Sequence, residues 1–168
     1  MFDDAQARRT ALMVLAGFVV GLALPDLDQA LPLGHRSALT HSILPVLIAL
    51  FHPERGRLAT GLALGIGVHL SADSFPNAMT GYATVKLPFA GGIGALWSYV
   101  WLGANALAAL LTGAALAFRV LPRAWAATIL GAIALGGAAY LFTTDGGWPV
   151  LALVALTGAA GWRLRRRQ

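Results

Sequence analysis

Six apolar stretches separated by short polar breaks leave this chain few ways to fold. They run roughly 8–24, 38–52, 57–75, 93–119, 123–143 and 148–163. With 58% of residues hydrophobic and 11% charged, there is too little polar surface to clothe a water-soluble domain of 168 residues. Inside a bilayer every backbone N–H and C=O must be satisfied within the chain, so such stretches become helices. The expected fold is all-α: a polytopic transmembrane helical bundle of about six membrane segments, forming a single integral membrane domain over 1–168. Stretches one, two and six fall short of the roughly 20 residues that span a bilayer. Pro45 also removes a backbone donor from the second. That second stretch is therefore read either as a kinked span or as a re-entrant helix.

Charge placement orients the bundle. Arg8 and Arg9, Arg55 and Arg57, Arg119 and Arg123, and the tail Arg163, Arg165, Arg166 and Arg167 all fall on one side of a six-segment arrangement. Arg36 and Lys86 alone fall on the other. Lys and Arg accumulate on cytoplasmic loops, so both termini are expected in the cytoplasm of a bacterial inner membrane. The basic N-terminus followed by an apolar run also fits a signal peptide. An Asp-rich motif begins where cleavage would fall, so the run is read as a retained first helix. The net charge of +5 is explained by these flanking arginines. No basic stripe is interleaved with aromatics, so nucleic acid is not an expected partner. The chain has no cysteine, which excludes disulfides, thiolate metal sites and cysteine nucleophiles.

Against this apolar background six metal-competent side chains stand out. Asp26 and Asp28 follow Pro25; His35 and His41 lie in His35-Arg36-Ser37-Ala38-Leu39-Thr40-His41-Ser42; His69 and Asp73 lie in His69-Leu70-Ser71-Ala72-Asp73. The topology sends all six to the outer face. Asp26 and Asp28 are expected at the end of the first helix, His35 in the first outer loop, and His41 in the first turn of the second helix. His69 and Asp73 are expected at the outer end of the third, on one helical face a turn apart. Ionisable groups at membrane depth are costly and mark function. Nitrogen and oxygen donors without sulfur suit zinc, manganese or iron better than calcium. Six candidates leave room for one or two ions.

Each residue also has a plainer reading. Asp26 can terminate a helix, and Asp73 can form a salt bridge with Arg36 or Lys86. Arg36 can hold a phosphate or carboxylate by its planar fork, or pair with an aspartate. His52 falls on the cytoplasmic side and is set aside, and Asp145 is an isolated loop residue. Gly61-x-x-x-Gly65 is read as helix packing. Beyond about Trp97 the chain carries no chemical motif, so 91–168 is read as scaffold and 17–90 as the motif-bearing half.

The order Leu-Pro-Asp-x-Asp, then His-Arg … Thr-His-Ser, then His-x-x-x-Asp, resembles the membrane-bound metal-dependent hydrolases named after the LexA-regulated inner-membrane protein YdjM. The similarity covers about 17–90. It implies metal-site roles for Asp26, Asp28, His35, His41, His69 and Asp73, with Arg36 beside them, in a pattern akin to zinc-dependent phospholipases C. The expected function is hydrolysis of a phosphoester or related bond in a lipid or amphiphile at the outer face. There an ion-activated water attacks, Asp28 takes the proton and Arg36 steadies the anion. The alternative is a non-enzymatic membrane protein with a structural ion or polar cluster. Transport is disfavoured because the polar residues stop at one face.

Overall fold

The computed structural model describes residues 3–75 and 78–144, together with Ala152, 154–156 and Ala159. Among the described residues the fold is carried by α1 (Asp4–Ala23), α2 (Leu44–Leu50), α3 (Gly56–Asp73), α4 (Ala95–Val120) and α5 (Arg123–Phe142). The only paired strands among the described residues, β1 (Lys86–Leu87) and β2 (Gly91–Gly92), form a small antiparallel hairpin. Each helix end has a local cause. Asp3 caps α1 by accepting from the Ala5 amide. Pro25 follows its last turn and converts the chain to a 3-10 turn, Pro25–Ala30. Pro122 breaks the chain between α4 and α5.

Helix α3 is the axis of the bundle, and its residues from Ala59 to Ala72 are all buried. Two sets of glycines let neighbours close on it. Gly61 and Gly65 meet the backbone of Val14, Phe18 and Gly21, and Gly17 and Gly21 meet that of Leu58 and Leu62. Both numbers rise together along this contact, so α1 and α3 run parallel. Gly67 meets Leu110 while Gly113 meets Leu64, so α4 runs antiparallel to α3. At Gly61 and Gly65 a Cβ would sit inside the α1 backbone. This packing is within the chain, as the small-residue spacing led us to expect. Apolar residues then fill the flanks: Val14, Phe18, Leu64, Val68 and Leu110 on one side, Ile66, Leu70, Val85 and Leu102 on the other.

Helices α1, α4 and α5 are long and apolar enough to cross a membrane. Six spans do not follow. The second apolar stretch folds as the seven-residue α2, about 10 Å long, which cannot cross a bilayer as a helix. Pro45 does not kink it; the ring sits in its first turn, where a missing N–H costs nothing. The stretch 148–163 lies largely outside the described residues, as do Asp145 and the C-terminal arginines.

The register places the C-terminal ends of α1 and α3 together with the N-terminal end of α4. Arg8, Arg9, Arg55, Arg57, Arg119 and Arg123 therefore lie toward the opposite end of the bundle from His69 and Asp73. Over the His69 end, residues 24–43 and the hairpin form a cap. Ser37 bridges Lys86 in parallel, with Ala38 N donating to Lys86 O and Lys86 N to Arg36 O.

Candidate metal centre

Pro25 ends α1 so that the next turn lies across the end of the bundle. That turn carries Asp26 outward, with its side chain 46% exposed, and Asp28 inward, at 0%. Further along, Gly34 (φ 75°) and Arg36 (φ 57°) both take left-handed backbone conformations around His35. Arg36 pays for this shape in strain, since a residue with a Cβ rarely adopts it. The reversal sends its guanidinium into the interior. There Nη2 donates to Asp73 Oδ1 at 2.8 Å and Nη1 to Ala83 O at 2.7 Å.

His41 is wholly buried just before α2, not in its first turn. The Trp101 indole donates to its carbonyl at 2.8 Å, and Asn105 Oδ1 accepts from the Ile43 amide at 3.0 Å, fixing the segment against α4. His69 and Asp73 lie one turn apart on α3, as their spacing requires.

Both imidazoles are held so that Nε2 faces the same place. His69 Nδ1 lies 2.9 Å from Leu22 O, an atom that can only accept, so Nδ1 carries the proton. His41 Nδ1 lies 3.1 Å from Asp28 Oδ2 and 3.1 Å from Thr40 Oγ1. The Thr40 hydroxyl donates to Asp28 Oδ2 at 3.0 Å, so its oxygen is left to accept from His41. In the neutral form of each ring, Nε2 is then a lone pair directed into the site. Asp73 Oδ2 stands 3.2 Å from His41 Nε2 and 3.3 Å from His69 Nε2, yet none of these three buried atoms has a hydrogen-bond partner among the described residues. Tetrahedral ligands bound at roughly 2.0–2.1 Å stand about 3.3 Å apart. The spacing is compatible with ligands around an ion, and equally with N–H···O contacts of a protonated imidazole.

Asp26, His41 and His69 form a group that can hold a metal ion, one ligand atom from each lying within 4.8 Å of the others. Asp26 Oδ1 is 3.9 Å from His69 Nε2 and accepts from Gln29 Nε2 at 3.0 Å. Partial negative charge at the C-terminal ends of α1 and α3 also favours a cation here.

The other two expected ligands lie behind this group. Asp28 Oδ2 accepts from Ser37 N at 2.7 Å as well as from Thr40, and its Oδ1 faces His35 Nδ1 at 4.0 Å. Neither of those last two atoms has a hydrogen-bond partner among the described residues. The His35 ring stacks on Tyr82 with centroids 4.1 Å apart. Asp28 thus backs His41, a carboxylate–histidine arrangement that fixes tautomer and ring orientation. Lys86 is tied to Tyr82 O and Thr84 O, not to Asp73.

These surroundings set the charge states. Burial would raise the Asp28 pKa, but His41, the Ser37 amide and Thr40 outweigh it and hold the carboxyl below its ordinary value. Burial would lower His41, yet the Asp28 and Asp73 carboxylates raise it above the usual imidazole value. For His35 burial prevails over the attraction of Asp28, and its pKa is lowered.

Several partners left no trace in the sequence. The Leu22 carbonyl, the Ala83 carbonyl and the Trp101 indole act through backbone or across long separations. Tyr140 on α5 places its hydroxyl 3.3 Å from His69 Nδ1, so the half of the chain read as scaffold reaches the site. No protein-family model, curated protein or solved structure matches the chain.

Proposed function

We propose that this is a membrane-embedded metal-dependent hydrolase, acting on a phosphoester or related bond of a lipid or amphiphile. The reading places the site at the extracytoplasmic face of a bacterial inner membrane, with the arginine-bearing end in the cytoplasm. The observation that carries it is the convergence of His41 Nε2, His69 Nε2 and Asp73 Oδ2, three buried atoms without hydrogen-bond partners. Buried polar atoms are rarely left this way, and a cation satisfies all three together. The resemblance of residues 17–90 to the YdjM-like hydrolases agrees with this reading.

Zinc suits the mixed nitrogen and oxygen donors, and manganese or iron would accept the same set. A bound divalent ion would supply Lewis acidity and make water nucleophilic near neutral pH. His41, His69, Asp73 and Asp26 would hold it. Asp28 keeps His41 in its ligating tautomer. Arg36 occupies one oxygen of Asp73 and turns the other to the ion. Its two Nη atoms meet Asp73 and Ala83, so Arg36 positions Asp73, while its buried Nε has no hydrogen-bond partner among the described residues. Asp26 is the exposed carboxylate of the group and marks the open edge, where a substrate can approach and where a proton can leave.

A structural ion is the second reading, favoured by the complete burial of His41 and Asp28. Elemental analysis of the full chain in detergent, followed by phospholipid and phosphomonoester screens, separates the two. We expect a transition metal and turnover, both lost in His41→Ala and His69→Ala. Metal without turnover on any substrate would favour the structural ion. A folded preparation free of metal would leave only a polar cluster.

A further inference from the structure

One side of the bundle carries an apolar recess apart from the metal centre. Leu87 of the hairpin lies with Ile93, Trp97, Val100, Trp101 and Ala104 around an open groove of about 550 Å³. A second groove of about 350 Å³ runs from Leu87 and Pro88 to Ile43, Leu44 and Leu47. Leu87, Trp101 and Asn105 wall both, so the two adjoin between the hairpin, α2 and α4. No charged residue lines either groove among the described residues. The polar side chains in the walls are engaged within the fold. Asn105 accepts from Ile43 N and donates to Trp101 O, the Trp101 indole donates to His41 O, and Ser42 Oγ donates to Leu39 O. A guest therefore meets apolar carbon and polar groups already bonded, which suits an acyl chain and not a peptide or a polar solute.

The register of α3 and α4 sets the depth of the recess. Gly67 meets Leu110 and Gly113 meets Leu64, which puts Ala104 level with Asp73 and Val120 level with Arg57. Counted up α4 from Arg119, the roughly 20 residues that span a bilayer end at Tyr99, between Trp97 and Trp101. Trp and Tyr gather at membrane–water interfaces. At the helical rise per residue Ala104 stands about 8 Å beneath Tyr99. The recess thus opens at the level of acyl chains. Beside it Phe89, in the hairpin loop, is fully exposed on a left-handed backbone (φ 63°), and an apolar ring so placed gains by meeting hydrocarbon.

We propose that one acyl chain of an outer-leaflet phospholipid lodges in this recess as a bound lipid, distinct from any substrate of the metal centre. The inference rests on the membrane reading above and not on the ion. The chain lies against the wall that supports the centre. Trp101 and Asn105 hold the 41–43 segment, and the Lys86 backbone pairs with Arg36 O and Ala38 N.

The test uses the full chain in nanodiscs of palmitoyl-oleoyl phosphatidylcholine, with a trace of the same lipid carrying a diazirine midway along one chain. Illumination, digestion and mass spectrometry read which residues the chain touches. Leu135 on α5 is the control. It is exposed, and the contact of Gly137 with Val68 sets it deeper than Ala104, where mid-chain probes in bulk lipid are densest. We expect labels concentrated on residues 97–105 and 38–47, above the level at Leu135. Ala104→Trp, at an exposed position, should fill the groove, cut that labelling about 10-fold and leave Leu135 unchanged. Wild-type labelling no higher in the recess than at Leu135 overturns the inference without any variant. Recess labelling that Ala104→Trp leaves intact, with the fold checked by a melting curve, overturns it as well. An unlabelled recess in a chain that migrates as a dimer assigns the surface to a second copy and overturns it too. Labels at neither place overturn the membrane reading and this inference with it. Zinc content bears on the metal reading and changes none of these outcomes.

Discussion

Asp28 and Arg36 have no direct share in the ion group, yet their loss should be felt most. Asp28 accepts from an amide and a hydroxyl at zero exposure, with His41 against it. Asp28→Ala strands those donors, and removal of a buried charged acceptor costs about 3 kcal/mol. Because Asp28 also fixes the His41 tautomer, zinc affinity should drop roughly 10- to 100-fold in whatever protein still folds. Chelator competition on the folded fraction measures this, and unchanged affinity would mean that His41 is oriented by something else. For Arg36→Lys the structure predicts a stability effect. An ammonium cannot reach Asp73 and Ala83 together as the fork does, so the melting temperature should fall, by roughly 1–3 kcal/mol in stability. A rate loss at unchanged melting temperature would return Arg36 to anion binding. His35→Ala should spare metal occupancy where His69→Ala abolishes it, since of these two only His69 turns an unpartnered Nε2 into the group.

At the scale of elements the decisive contact is α1 against α3. It carries Asp26 and the Leu22 carbonyl to the same end as His69 and Asp73. Gly65→Leu would drive a side chain into the α1 backbone at Phe18 and Gly21. Overpacking against backbone cannot relax by rotamer change, so a loss of about 3 kcal/mol or more is expected, and metal binding should go with it. Gly136 on α5 has nothing among the described residues within 4 Å of where a Cβ would stand. Gly136→Ala should be neutral or slightly stabilising, because Ala favours a helix over Gly by about 1 kcal/mol. Melting curves in one detergent compare the two. Equal tolerance at both positions would contradict the α1–α3 register. The α2 stretch illustrates what hydropathy misses. An apolar run short for a span, read as a kinked span or a re-entrant helix, folds as a short helix beside α3, because Pro45 starts the helix late and Pro53 follows soon after.

For the whole molecule the separation of charge and cluster makes a topological prediction. The absence of cysteine allows single-cysteine labelling. Leu31→Cys, in the cap, should react with an impermeant maleimide in intact cells, and Glu54→Cys, at the arginine-bearing end, only after lysis. The reverse pattern would put the centre in the cytoplasm. Helices long and apolar enough to cross a membrane, the helical class and the residues worth examining were legible in the sequence, because apolar runs and rare ionisable groups are local signals that need no partner. The His69–Asp73 pair was legible for the same reason, helix geometry alone setting its spacing. Tertiary structure decided the rest. The length of an apolar run does not say whether a neighbour will take its place across the bilayer, so the number of spans was undetermined. Which of the ionisable side chains face one another was equally hidden. Asp26 and Asp28 differ only in which side of one 3-10 turn they occupy. Whether Arg36 meets a phosphate or Asp73 depends on a left-handed residue and a hairpin that sits some fifty positions downstream. Tyr140 joins His69 only because α5 returns to the end of the bundle where α1 and α3 finish.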